Sequence, residues 1–208
     1  MSVSYCLDFN LRFAGEEAEE FLGRAVRTWP ALWEGIPGVA STLLLSNAFA
    51  LGGPLGYRWR VDFEKLSDLL SVDRALKSDD GETRRIVEHW FDGRSAARAS
   101  ISQSIAGEAN YNTYDGGEEG LIHCVFLHSE KAHSQQHARV ASKTKGVLAC
   151  ESQQELLSPD VRGYATWVRV AGLEQLDSVF AATSDLPSRT AHLFGEVKEI
   201  DGNLLVGA

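Results

Sequence analysis

Gly56-Tyr57-Arg58-Trp59-Arg60-Val61-Asp62-Phe63, running into Glu64-Lys65-Leu66-Ser67-Asp68-Leu69-Leu70-Ser71-Val72, decides the reading of this chain. It alternates apolar and polar residues over Tyr57–Phe63, the period of a strand, and then changes to helical spacing. A second copy of the pattern follows at Gly163-Tyr164-Ala165-Thr166-Trp167-Val168-Arg169-Val170, continued by Leu173, Leu176 and Val179. Each copy is preceded by a Gly-Val pair, Gly38-Val39 in the first and Gly146-Val147 in the second. Repetition at this scale indicates an internal duplication, so the chain reads as two related halves.

Val3 to Phe13 alternates cleanly and reads as the first strand. Gly15 opens a helix with Glu16, Glu17, Glu19 and Glu20 in its first turns, where carboxylates suit the positive end of the helix dipole. Phe21, Leu22, Ala25, Val26, Trp29, Leu32 and Trp33 make its buried stripe. Pro30 is expected to kink or interrupt it. Val39 to Leu51 reads as strand two, Gly52-Gly53-Pro54 as the turn into strand three, and Lys65 to about Lys77 as a helix. Asp79-Asp80-Gly81 caps an extra helix reaching Phe91 and ending at Gly93, and Ala97 to Ile105 is strand four.

Ala106 to Gly120 is polar, turn-rich and connects the halves. The order then repeats with a strand at Leu121–His128, a helix at Glu130–Lys145, strands at Val147–Leu156 and Tyr164–Val170, a helix at Leu173–Thr183 and a strand at Thr190–Ile200. Gly202 to Ala208 reads as a tail. The expected class is therefore α+β: two tandem ferredoxin-like βαββαβ units, residues 1–107 with an inserted helix at 79–93, and residues 118–208. Their sheets should pack against one another within one chain.

Composition bounds the function. The net charge of −9 argues against a nucleic-acid partner, because phosphate binding needs basic patches. No apolar run approaches the roughly 20 residues of a membrane span, and the N-terminus lacks a secretory pattern. Cys6, Cys124 and Cys150 have no CxxC spacing, which reads as reduced thiols in a cytoplasmic protein. Gly52-Gly53-Pro54-Leu55-Gly56 is a turn and not a phosphate loop.

Two βαββαβ units, each with Gly-Val entering strand two and an aromatic-rich strand three feeding an amphipathic helix, resemble the dimeric α/β-barrel superfamily. That group includes antibiotic-biosynthesis monooxygenases, polyketide cyclases, muconolactone-isomerase-like proteins and haem-binding relatives. The resemblance implies a barrel closed by two ferredoxin-like sheets, with ligands inside it or between a sheet and its helices. It leaves room for a homodimer.

If helices bury the apolar side of each sheet, the polar alternates face into the barrel. These are Asp8, Asn10 and Arg12 on strand one, Arg58, Arg60 and Asp62 on strand three, Trp167 and Arg169, then His192, Phe194 and Glu196. Buried charges must be paired. Such a lining can orient a small-molecule substrate, or it can be a structural ion-pair network. In the first reading His192 is the acid or base, tuned by Glu196 two steps along, with Asp8 and Arg60 binding the polar end of the ligand. The expected activity is that of a small-molecule enzyme without an organic cofactor. It would be a monooxygenase, or a cyclase or isomerase, acting on an aromatic or polyketide-like compound.

The alternatives are a haem or divalent-metal protein and a non-catalytic ligand binder. His133 and His137 lie four apart on one helix face, with His128 just before, a spacing that can bind metal or ligate haem. Haem-degrading members of the superfamily pair an asparagine on strand one with a tryptophan on strand three and a histidine on the next helix. Asn10 and Trp59 are loose counterparts, but that helix has no histidine before His89 on the inserted helix, and His89-Trp90-Phe91 reads as a packing stripe.

Overall fold

The computed structural model describes residues 2–47, 56–78, 80–107, 121–157, 163–188, 190–200 and 203–206. The expected turn at Gly52-Gly53-Pro54, Asp79, and the connection from 108 to 120 lie outside the described residues. The first half runs β1 (Val3–Leu11), α1 (Glu16–Glu34), β2 (Val39–Asn47), β3 (Tyr57–Phe63), α2 (Leu69–Leu76), α3 (Gly81–Gly93) and β4 (Arg94–Gly107). The second runs β5 (Ile122–His128), α4 (Lys131–Ala141), β6 (Val147–Leu157), β7 (Tyr164–Val170), α5 (Leu173–Thr183) and β8 (Thr190–Ile200). A further strand, β9 (Asn203–Val206), pairs with β8, so the expected tail at Gly202–Ala208 contains a strand.

Each half is a four-stranded antiparallel sheet, ordered β2-β3-β1-β4 and β6-β7-β5-β8. The sheets meet at both edges. β4 pairs with β6 through Gln103 and Gln154, and β2 pairs with β8 through Leu45 and Glu196. Eight strands thus close into a barrel within one chain. Closure leaves none of those eight with an unpaired edge, which removes a template for aggregation.

Side-chain alternation sorts three cores. Outside the first sheet, Phe9, Trp59, Val61 and Phe63 pack on Phe21, Leu22, Ala25, Trp29 and Trp33 of α1 and on Trp90 of α3. Outside the second, Ile122, Cys124, Phe126, Val168 and Val170 pack on Ala138 and Ala141 of α4 and on Leu176 and Val179 of α5. Inside the barrel lie Cys6, Leu45, Val125, Trp167 and Phe194.

Pro30 does not interrupt α1, which is helical from Glu16 to Glu34. An interior proline costs about 3 kcal/mol. Trp29 and Trp33 flank it at 2% and 3% exposure. Burial of large apolar side chains contributes roughly 1.5–3 kcal/mol each and offsets that cost. The helix after β3 begins as a 3₁₀ turn at Leu66–Asp68 before α2. Asp80 caps α3 by accepting the Thr83 N–H at 2.9 Å.

The duplication is visible in backbone detail. Gly38 and Gly146 have φ of +88° and +86°. A Cβ at Gly38 would meet Asp68 Cγ at 2.4 Å, and one at Gly146 would meet Gln175 Cγ at 2.5 Å. Both glycines combine a left-handed backbone with close approach of the segment that follows strand three or seven. Gly146→Ala is expected to destabilise the fold by about 1–3 kcal/mol. A shift of the urea midpoint smaller than that of an exposed control, such as Lys143→Ala, would contradict this.

Candidate functional site

The barrel interior is mostly a closed polar network. Arg60, 1% exposed, donates to Asp62 at 3.1 Å and to Glu151, and its guanidinium lies 4.6 Å from the Trp167 ring. Ser4 donates to Asp62, Ser41 donates to Asp62 at 3.1 Å, and Gln153 donates to Ser4 at 2.8 Å. Burial pushes the Glu151 carboxyl above its ordinary range; Asp62 adds to this and Arg60 opposes it. A second cluster joins Glu196 to Arg169 at 2.6 Å and to His123 Nε2 at 2.8 Å. Burial holds His123 below its ordinary pKa, so the neutral ring donates Nε2–H. Burial raises Glu196, but its bonds to His123 and Arg169 outweigh that and hold it low.

Several sequence expectations are met and others corrected. Asp8, Arg58, Arg60, Asp62, Trp167, Arg169, Phe194 and Glu196 do lie inside. Arg12 does not. The register of β1 against β4 shifts at Asn10/Leu11, and Arg12 turns to solvent, donating to the Arg94 carbonyl at 2.8 Å. Asn10 accepts the Gly56 N–H at 2.8 Å and so closes a strand end. Glu196 partners His123 and Arg169 rather than His192. Arg60 is enclosed by carboxylates, and Asp8 is gripped in a two-bond pair with Arg58 at 2.5 and 2.9 Å. The residues missed within the barrel are Ser4, His123, Glu151 and Gln153. Their polar type on the inward alternates of β1, β5 and β6 was the available signal.

What remains open inside is a cavity of about 120 Å³ at one end, lined by Cys6, Asp8, Arg58, Trp167 and His192 among others. Arg58 also lies 4.7 Å over the Phe194 ring. Burial pushes the Cys6 thiol up to about 11, which keeps it protonated and unreactive. The three cysteines are buried and unbridged.

A larger cavity lies on the other side of the same wall. Between the first sheet and its helices, about 290 Å³ is enclosed by Trp29 and Trp33 of α1, Trp59 of β3, Trp90 of α3, Tyr5 and Leu7 of β1, and Leu69, Val72, Asp73 and Leu76 of α2. Phe91 and Arg94 complete the lining. Helical spacing puts Trp29 and Trp33 on one face of α1, and strand alternation turns Trp59 outward to meet them. Trp29 meets Trp59 and Trp90 edge-on, with ring centroids 5.7 and 4.8 Å apart. The indole N–H groups of Trp29, Trp33 and Trp59 are buried and have no hydrogen-bond partner. The sequence reading assigned these tryptophans to packing. The overlooked signal was density, with four of the chain's five tryptophans lying within residues 29–90.

The histidines of α4 separate. His133 is at the rim, 3.8 Å from Glu130. His137 is 1% exposed, and neither ring nitrogen has a hydrogen-bond partner. Its ring packs on Phe126 at 4.1 Å and on His128 at 5.1 Å. His128 donates Nδ1–H to the Pro187 carbonyl at 2.9 Å, and its Nε2 lies 3.1 Å from Thr166 Oγ1. Haem would need a slot between the second sheet and α4 and α5, open at His137. Phe126, Ala138, Val168, Leu176 and Val179 fill that layer. The orphaned nitrogens of His137 are thus faced by rings instead of by a slot, and the residues present do not fit haem. In the first half, His89 stacks on Phe21 at 4.6 Å and is not among the residues lining the tryptophan cavity. Among the described residues no group of three or more His, Cys, Asp or Glu side chains could hold a metal ion. No described helix is long and apolar enough to cross a membrane.

Fold and cavities define an α/β barrel with a space on either face of its first sheet, the outer one the larger of the two. No family model matches the sequence, and no curated protein matches it by sequence. Solved structures do match. A provisionally named monooxygenase of Fusobacterium nucleatum aligns with TM-score 0.58 and 7% identity, covering 94% of this chain and 91% of that one. An anthrone oxidase-like protein aligns with TM-score 0.54 and 9% identity, covering 100% and 96%. A provisionally named chlorite dismutase aligns with TM-score 0.57 and 9% identity, covering 95% of each. The chain has the fold of the dimeric α/β-barrel superfamily, with one chain supplying the whole barrel. At these identities the likeness extends to the fold alone.

Proposed function

We propose that this chain is a small-molecule enzyme of the oxidoreductase type, monooxygenase-like, that takes a planar aromatic substrate between its first sheet and helices α1, α2 and α3. The carrying observation is the cavity of about 290 Å³ walled by Trp29, Trp33, Trp59 and Trp90. It is about twice the ~150 Å³ of an engineered apolar cavity that takes benzene, so it has room for fused rings. Edge-on and tilted indoles suit a flat, electron-rich ligand. The barrel-end cavity, at about 120 Å³, is too small for one. Two of the aligned structures, named as a monooxygenase and as anthrone oxidase-like, agree in reaction class with this reading. With anthrone as the substrate, the ring CH₂ flanked by aromatic rings would become C=O. Dioxygen is the oxidant, and its second oxygen atom leaves as water with the two hydrogens.

A second reading keeps the reaction at the barrel end, where His192 and Trp167 line the smaller cavity beside the Arg58–Asp8 pair. There His192 would carry a proton for a one-ring or smaller substrate. One experiment separates the readings. Purified protein is given anthrone, and tryptophan fluorescence and oxygen uptake are followed. The expected results are quenching on binding, and at least a tenfold loss of both signals in Leu76→Trp, which fills the larger cavity. An undiminished rate in Leu76→Trp, with a loss of about a hundredfold to ten-thousandfold in His192→Gln, would move the site to the barrel end.

A further inference from the structure

The barrel-end cavity holds an arginine that is fixed on one edge and open on another. β3, β1 and β4 lie side by side, and their register sets Asp8 opposite Arg58 on one flank and Arg98 on the other. Alternation turns all three inward, where they line the same cavity. Asp8 grips one edge of the Arg58 guanidinium, taking the Nε–H at 2.5 Å and an Nη2–H at 2.9 Å. The Phe194 ring lies across one face, 4.7 Å from the guanidinium carbon. Burial works against the charge on Arg58, but Asp8 outweighs it and raises the pKa, so the group stays cationic.

A guanidinium carries five N–H donors in a fixed fork, and Asp8 takes two of them. The edge formed by Nη1 and the outer N–H of Nη2 has no acceptor among the described residues, and Nη1 is not among the atoms sealed from solvent. The Arg58 side chain is 14% exposed, whereas that of Arg60, enclosed by its carboxylates, is 1% exposed. Arg58 can therefore meet a ligand where Arg60 cannot. The Ser100 hydroxyl lines the same space and has no hydrogen-bond partner among the described residues.

Size and charge narrow the ligand. The cavity of about 120 Å³ holds about four waters at ~30 Å³ each. Formal charges in its lining cancel, Arg58 and Arg98 against Asp8 and Glu155. A single negative charge thus meets no net opposing field. It is held best by two oxygens matching the two N–H groups of a guanidinium edge.

We infer that the barrel end is a second ligand site, which takes a small aliphatic monocarboxylate whose two oxygens accept from the open edge of Arg58. Asp8 is the positioning residue that aims this edge. The site goes beyond both readings above, since it is separate from the tryptophan cavity and assigns no proton transfer.

The test follows the indole N–H resonance of Trp167, which lines the cavity, in ¹⁵N-labelled intact protein, with Trp167→Phe to assign it. Acetate, acetamide and ethylammonium are the probes. Acetate is expected to shift the resonance and to bind at least tenfold more tightly than acetamide, and ethylammonium to leave it unmoved. Arg58→Lys keeps a cation for Asp8 but loses the fork, and acetate binding should weaken at least tenfold. Ser100→Leu, which fills the cavity and keeps the Arg58–Asp8 pair, should do the same. Leu76→Trp, which fills the tryptophan cavity, should leave acetate binding within twofold, so the two sites stand or fall separately. No shift at about 100 mM acetate, acetamide binding as tightly as acetate, or undiminished acetate binding in Arg58→Lys or Ser100→Leu would overturn the inference. Loss of acetate binding in Leu76→Trp would place the carboxylate in the tryptophan cavity and overturn it as well.

Discussion

Arg60→Leu is expected to lower the free energy of unfolding by about 3–5 kcal/mol, with the loss read as a shift in urea midpoint at constant slope. Arg60 is 1% exposed and sits between Asp62 and Glu151, with Ser4 and Gln153 completing the network. Removing the cation strands two carboxylates in a space that water does not reach. A leucine cannot repair this, because the penalty belongs to the partners left behind. Arg12→Leu is the control. The Arg12 side chain is exposed and donates to a backbone carbonyl, with no carboxylate partner among the described residues, so its loss should stay within about 0.5 kcal/mol. A change below 1 kcal/mol for Arg60→Leu would mean that the network is not structural and would reopen Arg60 as a ligand-binding group.

His137→Leu is expected to act in the opposite direction. The imidazole is buried against Phe126 and His128 with both nitrogens unpartnered. Leucine of similar size removes two unsatisfied atoms, a gain of about 1–3 kcal/mol. Burial, and then the neighbouring His128, hold the His137 pKa down at about 4 against 6.5 for the free side chain. The folded state thus refuses a proton that the unfolded state accepts. Below pH 6.5 the unfolded chain binds more protons, so this group removes stability as pH falls, until the folded ring also protonates near pH 4. Integrated over that window the loss is about 3 kcal/mol. Unfolding curves from pH 7 to pH 4 should therefore diverge, with wild type losing stability faster than His137→Leu. Parallel curves would show that His137 has a proton or ligand partner in solution.

The two variants mark the limits of pattern reading. Alternation correctly turned Arg60 and Asp62 inward, because a strand's two-residue period is a local property of the backbone. It could not say that Glu151 and Gln153 of the other half would complete their network, since that depends on how two sheets meet. Helical spacing put His137 on a face with His133. It could not say that one ring would be enclosed by Phe126 and the other left at the rim.

The order of elements through β8, the duplication, the inward and outward faces of β1, β3, β7 and β8, and hence the barrel class, were legible in the sequence alone, whereas β9 was not. These follow from periodicities of two and 3.6 and from Gly38 and Gly146, whose chemistry is legible one residue at a time. Where space remains depends on how the elements pack. Arg12 left the lining because the register shifts at Asn10/Leu11, and Glu196 bonds His123 on the paired strand β5 and Arg169 on β7 beyond it instead of His192 on its own strand. Trp29, Trp33, Trp59 and Trp90 read one by one as packing. They wall a cavity because α1, α3 and β3 converge from distant parts of the chain, and the volume left between packed surfaces is a property of no single segment.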